Sequence, residues 1–226
     1  MKQLGYPCAL PGGGEVEELA LAFEQGRKHR ILVVPALFDE SNKLRRFTVE
    51  VMRRLDGSGI DSFLPDLPGC NESLQSLAHI EPDDWVLALD AAARHFAATH
   101  VLAIRGGGLV IPKGPSGWHY GPVKGASLLR TMLRARVLSA REAGREESVD
   151  DLLAEGLEQG LELAGYQLSP EMLRQLHRMA PETHPGIRMI EQSTVGGSPL
   201  WLRAEPSHDA IQADGLAAAV ALGVLA

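Results

Sequence analysis

Short apolar runs alternate with amphipathic helical patterns through the first half of the chain. Ile31-Leu32-Val33-Val34 is fully apolar and largely β-branched, and it ends at Pro35. This predicts a strand covered on both faces, as in a parallel sheet. Leu44, Phe47, Val51 and Leu55 then recur at three- and four-residue steps, predicting a helix with one buried face that Gly57 and Gly59 stop. Residues 60–65 predict the next strand, and Asp66-Leu67-Pro68-Gly69 the turn leaving it. Val86, Leu89, Ala93 and Phe96 mark a second amphipathic helix within residues 83–98, and Val101-Leu102-Ala103-Ile104 another buried strand. Strand, helix, strand, helix, strand at this spacing predicts a parallel sheet with helical crossovers. The fold class is α/β.

The segment 106–121 breaks the rhythm, with six glycines and two prolines in sixteen positions, so a regular helix there would be costly. Helical character returns over 122–145 and again over 149–163. Residues 187–190 and 200–202 read as late strands, and 216–225 as a terminal apolar helix. Residues 1–14 are expected to form an arm or lead-in strand.

Length and composition narrow the class further. The 226 residues, 45% apolar and 23% charged, are expected to form one domain, 1–226, around a substantial core. A net charge of -7 argues against a general nucleic-acid binder, because phosphate neutralisation needs an excess of Lys and Arg. Two cysteines without paired spacing argue against a disulfide framework and a zinc site. No metal and no cofactor are expected. No run approaches the roughly 18 consecutive apolar residues of a membrane span, and the start MKQLGYPCALPGGGEVEE lacks the pattern of a secretory signal. The expected setting is the cytoplasm.

Open parallel sheets bind ligands at the carboxyl ends of their strands. Three such ends are residues 35–43, 66–73 and 105–108. In this order they resemble the α/β-hydrolase superfamily, with Asp66-Leu67-Pro68-Gly69-Cys70-Asn71-Glu72-Ser73 close to its D-x-x-G-x-G-x-S stretch. Phe38-Asp39-Glu40-Ser41-Asn42-Lys43-Leu44-Arg45-Arg46 resembles the F-x-E-x-N-K-x-R-R signature of the exosortase-A-system-associated hydrolases of the second type. Leu64-Pro65-Asp66-Leu67-Pro68-Gly69-Cys70, Pro122-Val123-x-Gly125 and Ala164-Gly165-Tyr166-Gln167-Leu168-Ser169-Pro170 follow in the same order. The resemblance covers about residues 31–202. It implies an α/β-hydrolase fold, with a mostly parallel sheet and helices on both faces, truncated here after the nucleophile elbow. It also implies a setting of exopolysaccharide synthesis and protein sorting, with ester or thioester hydrolysis as the reaction class and a small-molecule or acyl ligand.

At the elbow a hydrolase needs Ser, Cys or Asp on a tight strand-to-helix turn. Here the turn reads Ala103-Ile104-Arg105-Gly106-Gly107, and a guanidinium stays protonated and cannot attack a carbonyl. Arg105 has two readings. It is either an anion receptor for a carboxylate or phosphate, or the centre of an internal ion pair with Asp39, Glu40 or Asp66. Asn42, Lys43, Arg45 and Arg46 face the same choice between ligand binding and a structural role, with surface solvation of the helix as the default. Two weaker catalytic candidates remain. His208 stands where a late base would fall, or is a loop residue beside the helix-capping Asp209; Cys70 is a nucleophile on the second loop, or a small buried residue. His184 reads as a plain loop residue.

Arg130, Arg134, Arg141 and Arg145 fall within about 60° on a helical projection, opposite Leu128, Leu129, Met132 and Leu133. Such a stripe suits an anionic surface or an acidic protein partner; pairing with Glu142 and Glu146 is the alternative. Three functions stand: a hydrolase with a relocated site, an inactive hydrolase fold used for binding, and a peripheral adaptor.

Overall fold

The computed structural model describes residues 1–181 and 185–225; His184 lies outside the described residues. A seven-stranded sheet has the order β1-β2-β4-β3-β5-β6-β9. Its strands are β1 (Lys2–Ala9), β2 (Glu15–Phe23), β3 (Arg30–Val34), β4 (Asp61–Pro65), β5 (His100–Ile104), β6 (Ser116–Tyr120) and β9 (Ile187–Ile190). The strands from β4 to β9 run parallel, and only β2 opposes its neighbours. The sheet is therefore mostly parallel, as the run pattern predicts.

Helices cover both faces, and β3 shows how its residues sort between them. Ile31 and Val33 point to the face built with α1 (Asp39–Gly57) and α7 (Ala210–Leu225). Leu32 and Val34 point to the other, built with α2 (Pro82–His95), α3 (Gly125–Glu142) and α5 (Pro170–Arg178). All four residues are fully buried, which is why the run is apolar without alternation. The remaining elements are α4 (Val149–Gln159), β7 (Leu161–Leu163), β8 (Tyr166–Leu168) and the short α6 (Gln192–Val195).

Of the two readings of residues 1–14, an arm or a lead-in strand, residues 2–9 take the second: they form the edge strand β1, hairpinned onto β2. The sequence expectation fails in three places. The helix expected over 149–163 ends at Gln159, because Gly160 at φ 82° turns the chain out of the helix. Leu161–Leu163 then pairs with Tyr166–Leu168 across Ala164-Gly165, both at positive φ (52° and 83°), the backbone of a primed two-residue hairpin turn. The strand expected at 200–202 is a single 3-10 turn following Pro199; Leu200 is buried there while Leu202 is 73% exposed. Lastly, the glycine-rich stretch holds a strand, β6.

That stretch is otherwise as expected. After β5 the chain makes only a 3-10 turn, Arg105–Leu109, before reaching β6. Close packing explains its glycines. A Cβ on Gly107 would lie 2.4 Å from the Pro35 carbonyl oxygen, and one on Gly108 would lie 1.6 Å from the His119 ring.

Candidate functional site

β5 delivers Arg105 to the carboxyl edge of the sheet at φ 52°. Non-glycine residues rarely occupy this region, and the cost is sustained only where the surroundings hold it. Two contacts hold the backbone. The turn's glycines let β3 and β6 close in, and the His119 ring on β6 hydrogen-bonds the Arg105 carbonyl oxygen through Nε2 at 2.9 Å. His119 is fully buried and its Nδ1 has no hydrogen-bond partner among the described residues. Burial pushes its pKa below 6.5, helped by the nearby Arg105 cation and opposed by the backbone hydrogen bond and Glu191. The ring is thus neutral, with Nε2–H donating.

The Arg105 side chain is spoken for inside the protein. Nε lies 3.1 Å from Oε2 of Glu40 and Nη2 lies 2.8 Å from Oε1, a two-point pairing. Nη1 donates to the Gly121 carbonyl oxygen at 2.7 Å, and the Trp201 ring lies 4.0 Å from the guanidinium carbon, within cation–π range. The Arg105 and Glu40 side chains are only 10% and 9% exposed. Three of the five donors are therefore engaged, and an aromatic lid covers the face.

The other candidate residues separate into local pairs. Asp39 pairs with Lys43 at 2.8 Å along the first turn of α1. Asp66 takes Arg45 at 2.9 Å and the Asn71 amide at 2.9 Å, so it serves α1 and its own loop rather than Arg105. Asn42 Nδ2 donates to the Tyr166 hydroxyl at 3.3 Å, while Arg46 is exposed. Of the named binding candidates, only Glu40 meets Arg105.

The second loop shows why its glycine position can be asparagine. Asn71 sits at φ 51°, a region that Asn tolerates better than most side chains. Ser73 braces the loop by accepting from Gly69 N at 2.9 Å and donating to Glu18 at 2.7 Å. Glu18 is 3% exposed; burial raises its pKa, and the Ser73 hydrogen bond works against that. Cys70, in the same loop, has its thiol pushed up to about 12 by burial and by the charges of Asp66 and Glu18. It is a protonated thiol at neutral pH, and the charges that shift it are carboxylates rather than the cation that activates a nucleophile.

His208 makes no side-chain hydrogen bond or ion pair among the described residues. Its neighbour Asp209 spends a carboxylate oxygen on Ile211 N at 2.9 Å and Gln212 N at 3.2 Å, capping α7. A base oriented by an acid is not assembled there. Sequence reasoning missed three residues of this neighbourhood: His119, Trp201 and Glu18. A histidine between Trp118 and Tyr120 was the available sign of a buried ring; Trp201 carried none, since its contact is set by a non-local turn.

No family model matches the sequence, and no curated protein matches it either. Solved structures do resemble the chain. Ferulic-acid-bound Est1E from Butyrivibrio proteoclasticus is similar with a TM-score of 0.53 at 10% identity, covering 92% of this chain and 95% of that one. Rv0554 from Mycobacterium tuberculosis gives 0.52 at 11% identity, covering 98% and 97%. The bottromycin epimerase BotH, bound to bottromycin A2, gives 0.50 at 14% identity over 100% of both chains. A protein bound to ferulic acid and an epimerase bound to bottromycin A2 in this set make the likeness one of architecture, because fold does not carry chemistry with it. Together with the strand order, these likenesses give the chain an α/β-hydrolase-like fold.

Proposed function

We propose that this chain is a hydrolase-like accessory protein of an exosortase and exopolysaccharide system, a catalytically inactive α/β-hydrolase fold that binds rather than cleaves. The observation that carries the reading is the Arg105–Glu40 pair, which fills the elbow with a group that cannot act as a nucleophile. The rest of the site agrees. The elbow opens into a 3-10 turn, so it lacks the helix dipole that helps an oxyanion hole. Among the described residues, neither the Cys70 thiol nor the His208 ring has the partner that would turn it to catalysis.

The pathway assignment rests on the signature residues, and several have visible work in this fold. Glu40 holds Arg105 and Arg45 holds Asp66. Ser169 caps α5 by accepting from Met172 N at 3.0 Å, with Pro170 in the first turn. The ligand in this reading is a small molecule or acyl group met in the cytoplasm, near Asp39, Asn42 and Lys43 at the start of α1.

Intact-mass spectrometry after exposure to an alkyl fluorophosphonate tests the reading. No adduct is expected at neutral pH. A single stoichiometric adduct, lost in His208→Ala, would overturn it. In a host strain lacking the gene, a Cys70→Ala/His208→Ala variant should restore exopolysaccharide output as fully as the wild type does.

A further inference from the structure

The outer face of α3 carries positive charge that the rest of the protein leaves unneutralised. Arg130, Arg134 and Arg141 fall within about 40° of one another on the helical projection, and Arg145 follows just past the helix end. All four are exposed. None makes a side-chain hydrogen bond or ion pair among the described residues, so the pairing with Glu142 and Glu146 does not form. Arg136, further round the helix, is the one that pairs, with Glu147 at 3.1 Å and the Glu162 carbonyl oxygen at 3.0 Å.

The strip is held facing outward. Leu128, Leu129, Met132 and Leu133 are buried in the core, on the side where α3 packs on α5 and α4, which fixes the rotation of α3. On a chain of net charge -7, this concentration of one sign is local.

We propose that the α3 face docks the protein on an anionic lipid surface. A layer of phosphates meets guanidinium donors without any fixed register. An acidic protein would need carboxylates at the arginine spacing, and protein interfaces centre on anchors, Arg among them, that are buried in well-packed, desolvated pockets. Among the described residues of α3, Leu138, 59% exposed, is the large apolar side chain that stands out to solvent. Adsorption is electrostatic, without insertion, and is therefore sensitive to salt.

Co-sedimentation with phosphatidylcholine vesicles, with and without about 30% phosphatidylglycerol, at about 20 and about 500 mM salt, tests this. Wild type should bind the anionic vesicles at low salt, leave them at high salt, and ignore neutral ones. An Arg130→Gln/Arg134→Gln/Arg141→Gln variant should partition about 100-fold more weakly, at about fivefold per arginine, with an unchanged unfolding midpoint. Failure of wild type to bind at low salt, or equal binding by the variant, overturns the proposal. Binding to polyglutamate but not to vesicles overturns it in favour of an acidic partner. Displacement by dilute glycerol phosphate overturns it in favour of a discrete phosphate site.

Discussion

Arg105 and Glu40 join the end of β5 to the first turn of α1 through two hydrogen bonds, 3.1 and 2.8 Å long, in a place almost closed to solvent. Such a pair adds little net stability over well-packed apolar groups, yet is expensive to break from one side. Glu40→Ala should therefore destabilise the fold by about 3–5 kcal/mol, because it strands a buried cation. Arg105→Met combined with Glu40→Leu should recover most of that loss. Urea unfolding midpoints of the single and double variants measure both effects. Additive losses would show that the pairing does not couple the end of β5 to α1.

His119 gives stability a pH dependence of known sign. Burial holds its folded pKa below the 6.5 of the unfolded chain, so near that value the unfolded chain binds more protons. Its contribution is complete above the unfolded pKa and is lost as pH falls through 6.5 toward the folded value. The unfolding midpoint should drop as pH falls below 6.5, and His119→Gln should flatten the slope. His100, also lowered by burial and then by His29, supplies the slope that remains. A His119→Gln variant with the full wild-type slope would place the titration elsewhere.

The thiols should be inert in the native state. Burial first, then nearby carboxylates, pushes Cys8 up to about 11 and Cys70 up to about 12. Alkylation by iodoacetamide at about pH 8 should be slow for both and become fast only in denaturant. Prompt modification of Cys70 in folded protein would mean an activated thiolate, and with it a relocated nucleophile.

Much of the fold was legible in the chain because its signals are local. The run Ile31-Leu32-Val33-Val34 is buried on both faces and reads as such; Leu44, Phe47, Val51 and Leu55 point one way from α1. Arg105 and the lost helix were legible from residue chemistry and glycine density. What stayed hidden depends on distant partners. β2 presents Glu18 to the interior, where the Ser73 hydroxyl, 55 residues away, donates to it, so its alternation is masked by a charge. Trp201 sits in a segment that resembles a strand and becomes a lid only because Arg105 lies beneath it. Which acid would face Arg105 was open among Asp39, Glu40 and Asp66, since three carboxylates near two strand ends differ only in direction. The helix start at Asp39–Gly57 decides it by turning Glu40 inward and leaving Asp39 to Lys43.

Turnover of a panel of short p-nitrophenyl esters and acyl-thioesters, by folded wild type beside Cys70→Ala and His208→Ala, asks most directly whether this elbow cleaves. Hydrolysis no faster than a heat-killed control across the panel is the expected result. Turnover well above that control and lost in either variant would contradict an inert elbow and return the protein to the enzymes.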